Sequence, residues 1–148
     1  MSLEKKLFER LKRFAVFAGK FSLPYYGKVE TRYKTIEIAQ KLRESPVTVI
    51  DHAIQDLLLA ELVRKEMNHV SFNGEEETHL RFFFPQKHST GITLHCDPID
   101  GTAAFISGKN RFAVGIGLSS AKKGVHDFFS TVIYSPIEKN YIGHSKRR

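Results

Sequence analysis

Two aspartates three residues apart, Asp97 and Asp100, stand in the run Cys96-Asp97-Pro98-Ile99-Asp100-Gly101-Thr102, directly behind an apolar stretch. Leaving a strand at a proline-constrained turn, such a pair aims hard oxygen ligands at one spot, and Mg²⁺ takes carboxylates, a backbone carbonyl and water in near-octahedral geometry. Gly101 allows close approach of the backbone to a ligand. With a helix starting behind it, the amides of Gly101 and Thr102 would hold a phosphate at the helix's positive end. The plainer reading of either fragment is an Asp-Gly turn with an aspartate cap. A second acidic cluster, Asn73-Gly74-Glu75-Glu76-Glu77, follows a short apolar run. Alone it reads as a solvated charged turn. It gains meaning beside the aspartates, because a two-metal phosphoryl-transfer centre draws about four to six carboxylates from separate elements. The third piece is Ser45-Pro46-Val47-Thr48-Val49-Ile50-Asp51. Thr48 at an N-cap with Asp51 three residues on resembles a capping box. In the functional reading, Asp51 sits at a helix start facing the acidic cluster and accepts a proton from a threonine or from water.

Other chemistries find no support. The seven histidines form no HxxxH or HExxH pair, which leaves a zinc site unsupported. Cys96 lies in the apolar stretch without a partnering histidine motif, so packing is its expected role. Gly115-Ile116-Gly117 lacks the third glycine of a dinucleotide loop and sits in a strand-like run.

The elements that must position these residues are partly visible. Leu3, Leu7, Leu11, Phe14, Ala15, Ala18 and Phe21 recur at spacings of three and four and predict an amphipathic helix, ended near Pro24 and Gly27. Thr31 to Ala39 alternates weakly, as a strand would. Ile50, Ala53, Ile54, Leu57, Leu58 and Leu62 predict a second helix, beginning next to Thr48. A short strand is expected from His69 to Phe72, stopping at Asn73-Gly74, then a loop from Leu80 to Thr90 with an apolar patch at Phe82, Phe83 and Phe84. A buried strand from Ile92 to Cys96 leads into the aspartate run, with a short helix from Ala103 to Ile106. Strands are expected at Phe112–Leu118, Phe128–Tyr134 and Tyr141–His144. Helices first and then a run of antiparallel-looking strands point to an α+β layer in a single domain, not to βαβ alternation.

With 148 residues, 41% of them hydrophobic and 26% charged, the chain can bury a core. It has no apolar run of the ~20 residues that cross a bilayer, and MSLEKKLFERLKR lacks the apolar core of a secretory signal. The single cysteine excludes an internal disulfide framework, and the cytoplasm is the expected compartment. The net charge of +7 suits anionic partners such as small phosphate esters. The basic residues are spread along the chain and not interleaved with aromatics, so neither nucleic acid nor membrane is the expected partner.

Taken in series, SPVTVID (Ser45 to Asp51), FNGEE (Phe72 to Glu76), DPIDGT (Asp97 to Thr102) and the run from Phe105 to FAVGIGL at Leu118 resemble the inositol monophosphatase superfamily. DPIDGT is the specific element. The resemblance implies an α+β fold, with N-terminal helices packed on an antiparallel sheet as the first layers of an αβαβα sandwich. It implies Mg²⁺ as cofactor, with Glu75, Asp97 and the carbonyl of Ile99 as ligands of one ion, and Asp97 bridging to a second held by Asp100. Asp51 and Thr102 would orient and activate the attacking water, and the Gly101 and Thr102 amides would hold the phosphate. Glu76 would support the metal ligands or a third ion, and Lys41 matches the lysine ahead of SPVT. The implied reaction is hydrolysis of a small phosphomonoester such as inositol 1-phosphate. The alternatives are a 3′(2′),5′-bisphosphate nucleotidase, another sugar or histidinol phosphate phosphatase, and a non-catalytic metal- or phosphate-binding half-domain. Members of that superfamily are nearly twice this long and carry a C-terminal Trp-Asp-x-Ala motif without counterpart here. The expectation is therefore an N-terminal half with the C-terminal half absent: a fragment, a chain completed by a complementing half or a second copy in a homodimer, or an inactive relative.

Overall fold

The computed structural model describes residues 3–38, 41–64, 70–84, 91–109, 111–122 and 125–145, with the side chains of 3–7, 37–42, 64 and 121–126 left aside. Helix α1 spans Leu3–Ser22 and α2 spans Val49–Arg64, both where the three–four spacing of apolar residues predicts them. Leu11, Ala15 and Ala18 of α1 and Ile50, Ile54, Leu58, Leu59 and Leu62 of α2 are buried in one core with the sheet. Between the helices stands an antiparallel hairpin, β1 (Arg32–Ile38) and β2 (Lys41–Val47). The weak alternation at Thr31 to Ala39 marks β1. Strand β2 has no such mark: Lys-Leu-Arg-Glu-Ser-Pro-Val is charged and contains a proline, which a two-stranded ribbon tolerates on a free edge.

The main sheet runs β3 (Ser71–Gly74), β4 (Ile92–Asp100), β5 (Ala113–Lys122), β6 (Val125–Ser135) and β7 (Asn140–Ser145), in that spatial order. Strands β4 to β7 are antiparallel neighbours. The expected antiparallel run departs at β3, which pairs with β4 in parallel, Gly74 lying against Cys96. The connection from β3 to β4 carries a 3₁₀ turn at His79–Phe83 where a loop is expected, and residues 85–90 of that loop lie outside the described residues. In a parallel pair both strands leave the sheet at the same end. The acidic residues that follow β3 therefore emerge beside those that close β4.

Strand β4 also runs further than its apolar stretch. Strand geometry continues through Asp97-Pro98-Ile99 to Asp100, with the pairing to β5 broken between Asp97 and Asp100, so the turn falls at Gly101 and not at Pro98. Pro98 is accommodated because the ladder is already interrupted there. Gly101 adopts φ 86° and opens α3 (Thr102–Ser107), a conformation that costs a residue with a Cβ but not glycine. Phe105 anchors this helix: it is fully buried, with its ring 4.8 Å from Phe112 and 6.0 Å from Tyr26. Burying such a ring contributes about 2–3 kcal/mol, which ties the aspartate turn to the core.

Candidate active site

Asp51 lies in the first turn of α2 and is 1% exposed. Its Oδ2 accepts the Thr48 backbone N–H at 2.8 Å and the Thr48 hydroxyl at 2.5 Å. The Thr48 oxygen in turn accepts the N–H of Ile50 at 3.2 Å and, more weakly, that of Asp51 at 3.4 Å. This is the reciprocal cap of a helix start, with aspartate in the place of the usual glutamate. The cap leaves Oδ1 for another partner, the Thr102 hydroxyl at 3.3 Å. The same hydroxyl lies 2.9 Å from the Ile99 carbonyl. With one proton to donate, Thr102 can give it to the backbone oxygen or to the carboxylate, one at a time. Burial raises the Asp51 acid above its ordinary value, and the hydrogen bonds from Thr48 offset part of that rise.

Asp97 stands at the end of the regular β4–β5 pairing, across from Gly115. Its Oδ1 is buried and has no hydrogen-bond partner. Burial comes first in pushing its acid up to about 8, followed by Glu75 within hydrogen-bond reach and by the charges of Glu75, Asp100 and Asp51. Four carboxylates from three parts of the chain thus sense one another here. The Glu75 N–H bonds the Cys96 carbonyl at 3.0 Å and continues the parallel pairing one residue beyond β3. Asp100 is exposed at the end of β4, and Gly101 and Thr102 follow it at the start of α3.

Glu76 is 2% exposed and held by two sets of contacts. Its backbone is clamped by Gln55 of α2, whose Nε2 donates to the Glu76 carbonyl at 2.6 Å while Oε1 accepts the Glu76 N–H at 3.0 Å. Its carboxylate takes the Lys34 ammonium at 2.6 Å on Oε1 and faces His52 Nε2 at 3.5 Å on Oε2. Lys34 also reaches Glu75 Oε1 at 3.1 Å. Neither Lys34 nor Gln55 carries a mark in the sequence. Their partners lie 41–42 and 21 residues away, and only the hairpin and the helix–strand packing bring them close. The lysine expected near the acidic cluster, Lys41, is paired with Ile38 in the hairpin, and its side chain lies outside the described residues.

The donor set has the chemistry of a hard divalent cation: carboxylates, a backbone carbonyl and one buried carboxylate oxygen without a partner. Among the described residues, no three His, Cys, Asp or Glu side chains already stand close enough to form a closed metal cage. Cys96 plays no part in this set. It is buried within strand β4 against the core, and burial raises its thiol far above the ordinary value, which keeps it protonated. Glu75 and Asp97 line a depression of about 430 Å³ together with Gly115, Gly117, Phe128 and Thr131.

The sequence profile of the inositol monophosphatase family matches residues 12–148. The chain belongs to the inositol monophosphatase family. A curated relative, the chloroplastic bifunctional phosphatase IMPL2 of Arabidopsis thaliana, is 27% identical over 140 residues, covering 93% of this chain and 38% of the relative. Among solved structures, the extragenic suppressor protein SuhB of Bartonella henselae superposes with a TM-score of 0.73 at 23% identity, over 95% of this chain and 49% of SuhB. The IMPase of Thermotoga maritima gives 0.68 at 20% identity, over 93% of this chain and 48% of its own. These likenesses establish the fold, with helices packed on a largely antiparallel sheet. The chain spans about half the length of each of these structures. Among the described residues no helix is long and apolar enough to cross a membrane.

Proposed function

We propose that this chain carries the metal- and phosphate-binding part of a Mg²⁺-dependent phosphomonoesterase site acting on a small phosphate ester such as inositol 1-phosphate. The observation that carries the reading is the meeting of Thr102 with Asp51 beside the buried, unpartnered oxygen of Asp97. Family membership supports a phosphatase. Mg²⁺ would be held by Glu75, Asp97, the Ile99 carbonyl and Asp100, and when bound it supplies the positive charge that offsets developing phosphoryl charge and makes water more acidic.

The chain's own residues do the rest. Asp51, pinned on Oδ2 by Thr48, keeps Oδ1 turned to Thr102. The Thr102 hydroxyl takes up a proton from the attacking water while passing its own to Asp51. The burial that raises Asp51 makes it the better acceptor. The amides of Gly101 and Thr102 hold the phosphate oxygens, and Gly101 leaves room for that approach. Glu76, fixed by Gln55, supports the ligand positions from beneath. Because the chain spans about half of its relatives' length, turnover by the complete site, with a complementing C-terminal half or a second subunit, is part of the proposal. Cytoplasmic location belongs with it.

The test is phosphate release from inositol 1-phosphate by the purified chain, with and without Mg²⁺, beside Asp97→Asn. A 3′,5′-bisphosphate nucleotide and histidinol phosphate serve as competing substrates. Mg²⁺-dependent release that vanishes in the variant supports the reading, and the preferred ester names the substrate class. Mg²⁺ binding without any release assigns the chain as a non-catalytic half-site. Release that is indifferent to Mg²⁺ and to Asp97 overturns it.

A further inference from the structure

The Lys34 ammonium, on the β1–β2 hairpin, sits between two glutamates of the candidate site, bonded to Glu76 at 2.6 Å and to Glu75 at 3.1 Å. The two contacts are unequal. Glu76 is 2% exposed and clamped by Gln55, so its bond to Lys34 joins a buried carboxylate to a partly exposed ammonium. Glu75 is 39% exposed, and its contact with Lys34 is the longer of the two. Glu75 is also the carboxylate within hydrogen-bond reach of Asp97, whose Oδ1 has no partner. One exposed carboxylate thus lies between the Lys34 ammonium and the proposed metal position.

We infer that Lys34 is a positioning residue that acts as a resident counter-cation, competing with the divalent ion for Glu75 and retaining Glu76 when Glu75 is released. The inference rests on the metal-site reading above and adds to it a residue on the β1–β2 hairpin. Without the ion, Lys34 offsets the mutual repulsion of the carboxylates. When the ion arrives, Glu75 exchanges one cation for another, and the hairpin stays docked through the bond of Lys34 to the buried Glu76. The ammonium and the ion then repel each other. In a water-like dielectric, a unit charge and a doubly charged ion within a few ångströms of each other repel enough to weaken ion binding by about tenfold. The geometry therefore predicts that removing the lysine charge tightens divalent-ion binding, the opposite of what loss of a merely structural contact would do.

The experiment is titration of the full chain with Mn²⁺, followed calorimetrically, for the wild type, Lys34→Met, Lys34→Arg and Asp97→Asn. Lys34→Met is expected to bind about tenfold more tightly, with Lys34→Arg restored to within about threefold of the wild type. Leaving Glu76 buried without its cation is costly. Should Lys34→Met fail to fold, the double variant Lys34→Met/Glu76→Gln removes that charge and is expected to show the same tightening. Unchanged or weaker binding in the folded Met variants overturns the role of Lys34. In that case the metal-site reading still stands if Asp97→Asn loses the binding that the wild type shows. Binding in Lys34→Met where the wild type shows none supports the role of Lys34. No binding in any of the proteins overturns both.

Discussion

Replacing Asp97 by asparagine should make the metal-free protein more stable at neutral pH. In the fold the Asp97 acid is raised to about 8 by burial and by Glu75, Asp100 and Asp51. In the unfolded chain it returns to about 3.9. A carboxyl whose folded value is raised binds more protons folded than unfolded, so its stability contribution is intact below about pH 4 and is lost as pH climbs towards 8. At pH 7.5 the linked cost is about 5 kcal/mol before screening, at 1.36 kcal/mol for each unit between 3.9 and the working pH. Asp97 is only partly buried, and solvent screening brings that to roughly 1–2 kcal/mol. Asparagine keeps the shape and cannot ionise, so Asp97→Asn should gain that amount in urea unfolding at pH 7.5 with chelator present. At pH 4.5 the gain should shrink to a few tenths of a kcal/mol, because the wild-type carboxyl then costs little. Adding Mg²⁺ should reverse the order, since only the wild type gains stability through binding. A variant no more stable than the wild type at pH 7.5, or one whose gain is the same at both pH values, refutes the reasoning.

Thr102→Ala removes the hydroxyl that connects the Ile99 carbonyl to Asp51. It should lower kcat by roughly ten- to a hundredfold while changing the Mg²⁺ affinity by less than about threefold, and equal losses in both would place Thr102 in a structural role. Gly74→Ala should cost about 2 kcal/mol in urea unfolding, because the added Cβ would collide with Gln55 Oε1 and the Phe72 ring. That collision also breaks the clamp on Glu76, so an unchanged unfolding midpoint would deny Gln55 its positioning role.

Several parts of this protein are set by neighbours in the sequence and could be read there. The stripes of α1 and α2, the Thr48–Asp51 cap, the short helix behind Gly101 and the strand before Asp97 all depend on contacts within a few residues. Periodicity, capping chemistry and a glycine at positive φ leave a local trace. The grouping of residue types that suggests hard-metal chemistry is equally local, because the Asp97–Thr102 run brings two carboxylates and the backbone amides together in one segment. Only the tertiary structure decided how the segments meet. Strand β2, charged and carrying Pro46, exists because β1 pairs with it, not because its residues alternate. The parallel pairing of β3 with β4 puts Glu75 beside Asp97, and no pattern in four residues states the direction of a neighbour. Lys34 finds Glu75 and Glu76 across 41–42 residues, and Gln55 finds Glu76 across 21. The physical reason is that a charge or an amide has the same local signature whether it faces water or a buried partner. The partner is chosen by the packing of helix on sheet, which gathers apolar residues from the whole chain into one core.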